Sequence, residues 1–235
     1  MAREPTHEPT PAEVIRFTRA LQTLKREGCA LLVVGRLSTD LHQRFSVRVL
    51  GDVEEELRRR LIVLTDGRYE SIERRLPRST RGSVTDTARA VLYEPRTRGV
   101  VTTSTRSIAP CPTVRVEGDV GDLGEVITRE LDRLAVVSNG LEPAELRICL
   151  DSLDTLLATE PPETVFRFVH LLSRIAVRKS GIVHVHLHEG IDHRYAREFS
   201  PLFDGTVELL EVGDEPRQRW HLRDGSVSSA WLSLD

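Results

Sequence analysis

Residues 146–150 are Leu-Arg-Ile-Cys-Leu, and residues 182–187 are Ile-Val-His-Val-His-Leu. Short, mostly apolar runs of this kind are typical of strands buried on both faces of a parallel sheet. Residues 161–179, which lie between them and end before Gly181, carry apolar side chains at helical spacing: Val165, Phe168, Leu172 and Ile175. A strand, a helix and a second strand in this order predict a right-handed crossover, which places the two strands parallel in one sheet.

The alternation of strands and helices extends towards the N-terminus. The expected elements are a helix over residues 11–27, a strand over 29–34, helices over 38–50 and 53–60, and a strand over 61–64. The run over 29–34 is continuously apolar and is closed by Gly35. This order predicts a three-layer α/β fold with a mainly parallel central sheet.

The chain changes character after the predicted strand–helix–strand unit. Before that unit, short strands are expected over 90–93, 100–101 and 114–116, and a helix over 122–137. After it, the tail is expected to form strands over 206–211, 217–222 and 226–234. Turn sequences separate the tail strands, so the sequence predicts antiparallel C-terminal strands. We expect a flexible N-terminus over 1–10 and one domain over 11–235, with an Arg-rich insert over 68–106 and a β-meander over 204–235.

The composition excludes several classes of protein. The chain has 235 residues, 39% of them apolar, and a formal net charge of −3, which argues against a fibre, a membrane protein or a disordered chain. The first eleven residues are polar and include three prolines, so no signal peptide is expected and the predicted location is cytoplasmic. Three widely spaced cysteines are expected to be buried, reduced thiols.

The basic residues are unevenly distributed. Only Lys25 and Lys179 are lysines, and the other 31 basic residues are arginines, nine of them within residues 68–106. Four of these are candidate contacts for a partner: Arg74, Arg75, Arg78 and Arg81. A protein partner is the expected one, although such a patch could also hold the phosphates of a nucleic acid. No membrane partner is expected.

Two stretches together resemble the RecA superfamily, and in particular its KaiC-like and RadA-like branch. Residues 145–153 are an apolar strand that ends in Asp151 and Ser152, as in the strand that carries the Walker B aspartate of that family. Residues 203–209, Phe-Asp-Gly-Thr-Val-Glu-Leu, resemble the passage that leads into the family's terminal meander. The resemblance implies a RecA-like core over about 28–222, and the chain most resembles a group of haloarchaeal proteins with a degenerate core.

The phosphate-binding loop that the resemblance implies is degenerate. The family's loop is G-x-x-x-x-G-K-[ST], whereas the eight residues from Gly35 are Gly-Arg-Leu-Ser-Thr-Asp-Leu-His. Asp40 takes the place of the second glycine, Leu41 that of the lysine and His42 that of the hydroxyl. What remains of a nucleotide site would be Gly35, Ser38 and Thr39, so no cofactor is expected, although ATP with Mg²⁺ remains an alternative.

Two acidic residues would be vestigial catalytic candidates under the same resemblance. Asp151 would approach Mg²⁺ through water, and Asp66 stands where the family places its catalytic acid. The alternative is structural, since carboxylates at strand ends commonly accept hydrogen bonds from free backbone N–H groups. The structural interpretation is preferred for both.

Three histidines alternate along the predicted strand over 182–187 and its end. His184, His186 and His188 should therefore project from one face of the sheet, where three imidazoles could bind Zn²⁺ or Cu²⁺. The preferred interpretation is that His184 and His186 form hydrogen bonds beneath a helix, while His188 reaches the carboxyl edge of the sheet, where such folds place ligands.

The function that these patterns favour is a non-catalytic, regulatory or binding protein, a pseudo-ATPase that acts through protein contacts. Its partner would be an active relative or a second copy of the chain. Two alternatives stay open, namely a nucleotide sensor or weak ATPase, and a DNA-associated accessory factor of the recombinase-paralogue type. Mg-ATP hydrolysis is not expected because the lysine of the loop is missing.

Overall fold

One mixed sheet organises the protein. This computed structural model describes residues 10–51, 57–65, 70–76, 87–95, 110–137, 140–213, 215–222 and 227–234. The strands of these residues are β1 (Cys29–Val34), β2 (Arg59–Leu64), β3 (Ala88–Pro95), β4 (Thr113–Gly118), β5 (Leu146–Leu150), β6 (Ile182–Leu187), β7 (Gly205–Val212), β8 (Glu215–Leu222) and β9 (Leu232–Ser233). Their order in the sheet is β4-β3-β2-β5-β6-β1-β7-β8-β9.

Helices cover both faces of this sheet. They are α1 (Pro11–Glu27), α2 (Thr39–Leu50), α3 (Glu70–Arg75), α4 (Val120–Val137), α5 (Leu153–Thr159), α6 (Pro162–Arg178) and α7 (Arg194–Phe199). One face packs against α4, α5, α6 and α7, and the other against α1, α2 and α3. The alternation of side chains along each strand supplies both cores, which makes the protein a three-layer α/β fold.

The strand pairings confirm the fold class predicted from sequence. The β5 and β6 strands are parallel neighbours joined by α5 and α6, with Leu150 opposite Val185. Every pair from β4 to β7 across the sheet is parallel, whereas β7–β8 and β8–β9 are antiparallel. The C-terminal strands therefore extend the parallel sheet through β7.

Two predicted elements differ from the structure. The helix expected over 53–60 is wrong at its end, because Arg59 and Arg60 are buried residues of β2. Their guanidinium groups are hydrogen-bonded inside the protein: Arg59 Nε lies 2.8 Å from Glu145 Oε1, and Arg60 Nε donates to the Leu50 carbonyl at 3.1 Å. The strand expected over 226–234 is a two-residue β9 preceded by an isolated bridge at Ser228.

The predicted Arg-rich insert contains a core strand. Residues 88–93 of β3 lie in the sheet between β2 and β4, and Ala90 to Tyr93 are fully buried. The strand predicted over 100–101 lies outside the described residues. Among the residues that are described, no helix has both the length and the apolar character needed to cross a membrane.

Candidate functional site

The carboxyl ends of the parallel strands meet at one edge of the sheet, the edge at which doubly wound folds place ligands. Gly35 follows β1, Asp151 follows β5 and His188 follows β6. Since β1, β6 and β5 are adjacent, these positions lie at neighbouring strand ends. The site is therefore built where three loops leave neighbouring strands.

The backbone of Gly35 is engaged within the fold. Its N–H donates to the carbonyl oxygen of Glu189 at 2.8 Å, and its own carbonyl faces His42 Nε2 at 2.9 Å. A β-carbon at this position would lie 2.7 Å from the carbonyl oxygen of Leu209. The close approach of β7 accounts for glycine here, so its presence is explained by packing.

The residues predicted to remain from, or to replace, a nucleotide site lie partly on the surface and partly in the core. Ser38 and Thr39 are exposed at the start of α2, and so is Asp40. Leu41 and His42 point into the protein and are buried. The two positions at which the family's lysine and hydroxyl would stand thus belong to the core.

Asp151 is a hydrogen-bond acceptor inside the sheet edge. Its Oδ1 accepts from the Thr65 backbone N–H at 2.8 Å and from the Thr65 hydroxyl at 3.0 Å, and the residue is 3% exposed. The next residue, Ser152, caps α5 by accepting from the Thr155 N–H at 3.3 Å. This arrangement agrees with the structural interpretation of Asp151. Asp66 lies outside the described residues.

A relay of hydrogen bonds connects α2 with β6. His42 Nε2 must carry a proton because its neighbour, the Gly35 carbonyl, only accepts. Burial lowers the pKa of His42 to about 4, and the pKa of His186 well below 6.5, so both rings are neutral at pH 7. His42 Nδ1 is then an acceptor, and His186 Nδ1 donates to it over 2.8 Å. The remaining lone pair of His186, on Nε2, faces Ser46 Oγ at 2.9 Å.

His188 lies beside this relay, with its ring centroid 4.2 Å from that of His42, and pairs with an acid at the edge. Its Nδ1 lies 3.0 Å from Asp154 Oδ2, which also accepts from the His188 backbone N–H at 2.8 Å. These hydrogen bonds outweigh burial and lower the pKa of Asp154. The prediction that His188 reaches the carboxyl edge agrees with this position.

His184 departs from its predicted role. It is fully buried beneath α2, yet neither ring nitrogen has a hydrogen-bond partner. The thiol of Cys149 is its neighbour instead, because Cys149 and His184 are opposite each other on β5 and β6. The expectation of hydrogen bonds beneath a helix thus holds for His186 and is wrong for His184.

Comparison with known proteins assigns the chain to a family. The model of a family of unknown function, DUF7504, matches residues 28–209, which include β1 to β6 and the first five residues of β7. The chain belongs to this family. No curated protein matches the DUF7504 chain. Among solved structures, the chain is similar to a KaiC-like protein from the hyperthermophilic archaeon Pyrococcus horikoshii OT3, at 14% identity with a TM-score of 0.49, over 83% of this chain and 78% of that one.

The arginine candidates of the DUF7504 chain do not form one surface. Arg74 is exposed at the end of α3, but Arg75 is 1% exposed and donates from Nη1 to the Ser71 carbonyl at 3.2 Å. Arg75 is therefore corrected from a partner contact to a core residue, because α3 turns it towards the sheet. Arg78 and Arg81 lie outside the described residues.

A second feature of the DUF7504 chain is a cleft of about 1320 Å³ between α4 and α6. Val136 and Leu171 line it and are 79% and 60% exposed. Charged residues of both signs surround these apolar side chains: Glu125, Arg129, Asp132, Arg133 and Arg167. The cleft could not be predicted from the sequence because it exists only where α4 and α6 lie side by side in the folded chain.

Proposed function

We propose that this DUF7504 chain is a non-catalytic protein of RecA/KaiC-like type that acts through protein contacts. The observation that carries the proposal is the state of the β1–α2 connection. The Gly35 N–H is already hydrogen-bonded to Glu189, and Leu41 and His42 are buried. A phosphate cradle needs free amides and a lysine at these positions.

The charges around this connection also disfavour a nucleotide. Asp40 is exposed at the start of α2, where a carboxylate would repel the phosphates. Arg36 is the basic residue of the connection, and its Nε is paired with Glu189 at 2.7 Å. The carboxylate of Asp151 is engaged by Thr65. The charged groups at this edge therefore repel phosphates or are already paired with other residues of the chain, which supports a protein that does not bind a nucleotide here.

The surface that we assign to the partner is the cleft between α4 and α6. Its volume of about 1320 Å³ exceeds the roughly 300–1,000 Å³ of typical small-molecule sites. The exposed aliphatic side chains and the charges of both signs in its lining suit an amphipathic helix of a protein partner. The proposed occupant is therefore such a helix, from an active relative or a second copy of this chain.

Calorimetry with Mg-ATP tests the loss of nucleotide binding. We expect no heat of binding at micromolar protein concentration for the native chain. Micromolar binding that disappears in Asp151→Ala, with the variant still folded by circular dichroism, would overturn the proposal and favour the nucleotide-sensor alternative. Binding that persists in Asp151→Ala would overturn it too, and would place the nucleotide elsewhere.

The partner surface is tested by a matched pair of substitutions. Leu171→Glu places a charge in the cleft, whereas Val14→Glu places one at an exposed position of α1. We expect a protein recovered from native extract to bind the native chain and Val14→Glu but not Leu171→Glu, and its binding segment to be a helix. Equal binding to both variants, or recovery of nucleic acid alone, would contradict the assignment of the cleft.

A further inference from the structure

Three metal-binding side chains meet in the interior between α2 and the sheet. Cys149 lies on β5, and His184 and His186 lie on β6. The candidate ligand atoms, one from each side chain, lie within 4.8 Å of one another, and all three residues are fully buried. The row predicted from sequence was His184, His186 and His188. In the structure Cys149 takes the place of His188, whose ring is paired with Asp154.

The first independent sign of a ligand is the state of His184. Both of its ring nitrogens are buried without a hydrogen-bond partner. Leaving a buried donor or acceptor unsatisfied costs about 1–3 kcal/mol, and native proteins rarely retain such groups without a reason. A metal ion bound to the unprotonated nitrogen would satisfy one of these two groups, the ring's lone pair.

The second sign is the orientation of His186. Its Nδ1 proton is fixed by the hydrogen bond to His42 Nδ1, so its Nε2 presents a lone pair on the side of Ser46 and Cys149. The Ser46 hydroxyl has a single proton and also reaches the His42 carbonyl at 3.0 Å. Its proton is thus contested between that carbonyl and His186 Nε2, which lies 2.9 Å away, and a metal ion on Nε2 would leave the proton to the carbonyl. A metal-binding histidine typically has its other nitrogen anchored in this way.

We propose that Cys149, His184 and His186 bind a transition-metal ion of the Zn²⁺ class. A thiolate with two imidazoles suits Zn²⁺ and Cu⁺ and discriminates against Mg²⁺ and Ca²⁺, which prefer oxygen ligands. Closing the cluster to about 2.0–2.3 Å per ligand bond requires modest side-chain rotation. Ser46 Oγ, 3.6 Å from Cys149 Sγ, is placed to supply the fourth ligand or to hold a water there.

Binding is balanced by the release of one proton. The Cys149 thiol forms a sulfur–metal bond as its proton leaves to solvent, while both imidazoles bind as neutral ligands.

Cobalt is the probe for this site because a cobalt–thiolate bond has a charge-transfer absorption band. The full chain is stripped with a chelator, titrated with Co²⁺ and then with Zn²⁺. We expect one equivalent of Co²⁺ to give the thiolate band and Zn²⁺ to abolish it. Native protein that shows no thiolate band and keeps no zinc after dialysis overturns the proposal without reference to any variant.

Matched variants locate the ligands. Cys149→Ser should abolish the thiolate band, whereas Cys111→Ser, at another buried cysteine, should retain it. His42→Gln removes the group that anchors His186, and should weaken Co²⁺ binding by about 10–100-fold while preserving the band at saturation. A band that survives in Cys149→Ser and disappears in Cys111→Ser would place the metal elsewhere. If Cys149→Ser fails to fold, His184→Asn provides the same test through loss of stoichiometric binding.

Discussion

A β-carbon on Gly35 would lie 2.7 Å from the carbonyl oxygen of Leu209. This approach joins the end of β1 to β7 at the point where the sheet passes from its parallel part to its C-terminal strands. In a functioning phosphate loop the first glycine would serve the ligand. Here the nearest constraint on residue 35 is the backbone of a neighbouring strand.

Gly35→Ala should therefore destabilise the fold without any nucleotide present. Overpacking of this kind costs about 1–3 kcal/mol, measured as a fall in the urea midpoint at unchanged slope. Gly190→Ala is the matched control, since a β-carbon there meets nothing within 4 Å. Equal stability of the two variants would show that the Gly35–Leu209 approach does not constrain the residue.

Asp151→Ala should also reduce stability. The substitution leaves the buried N–H of Thr65 without its acceptor, which costs about 1–3 kcal/mol. The control is Asp192→Ala, which removes an exposed carboxylate and should change the free energy of unfolding by less than about 0.5 kcal/mol. If Asp151→Ala is as stable as the control, the carboxylate has no structural role and the vestigial-catalysis interpretation gains support.

The fold was largely predictable because its core strands are continuous apolar runs. The strands at 29–34, 61–64, 146–150 and 182–187 are each recognisable without knowledge of their neighbours. Arg59 and Arg60 were misassigned because charged residues in sequence indicate a solvated helix. Their partners, Glu145 and the carbonyls at the end of α2, exist only once the sheet has formed.

The candidate site was predictable only in part. The alternation of His184, His186 and His188 places them along one strand and its end, but sequence spacing does not reveal what lies across from them. Cys149 is 35 residues from His184, and only the register of β5 against β6 makes them neighbours. The sequence shows His42 only as the residue that replaces the hydroxyl of a phosphate loop. Its contact with His186 could not be predicted, because the two residues are far apart in sequence and meet only in the folded chain.

The stability of the protein should fall in alkaline solution. Burial raises the pKa of the Cys29 thiol to about 12, and the carboxylate of Asp204 adds to the rise. In the unfolded chain a thiol ionises near pH ~8.5. Above that pH the unfolded state loses a proton that the folded state keeps. The stabilisation is therefore complete below about pH 8.5 and declines until the folded thiol ionises as well.

Cys29→Ala provides the check on this pH dependence. Between about pH 9 and 11 it should remove roughly one proton from the slope of unfolding free energy against pH, a tenfold change in the folding constant per pH unit. Below pH 8 the slopes of the native chain and the variant should coincide. Unfolding by urea at a series of pH values measures both. Parallel slopes over the whole range would mean that the Cys29 thiol ionises equally in both states.

Glu130 on α4 is expected to contribute more to the free energy of unfolding than an exposed carboxylate on the same helix. It is 1% exposed, and its two carboxylate oxygens accept from Arg89 Nη1 at 2.9 Å and Arg133 Nη1 at 2.5 Å. Glu130→Ala leaves Arg89, on β3, with a partly buried charge and no carboxylate, which should cost about 3 kcal/mol. Circular dichroism during urea unfolding measures the loss.

The control for Glu130 lies on the same helix. Asp132 pairs with Lys179 at 3.1 Å but is 63% exposed, so Asp132→Ala should cost less than about 1 kcal/mol. Added salt should reduce the small effect of Asp132→Ala and leave most of the effect of Glu130→Ala, since buried pairs are screened far less. If both variants lose equal stability and respond equally to salt, Glu130 behaves as a solvated carboxylate. The α4 helix would then be held to β3 by apolar contacts alone.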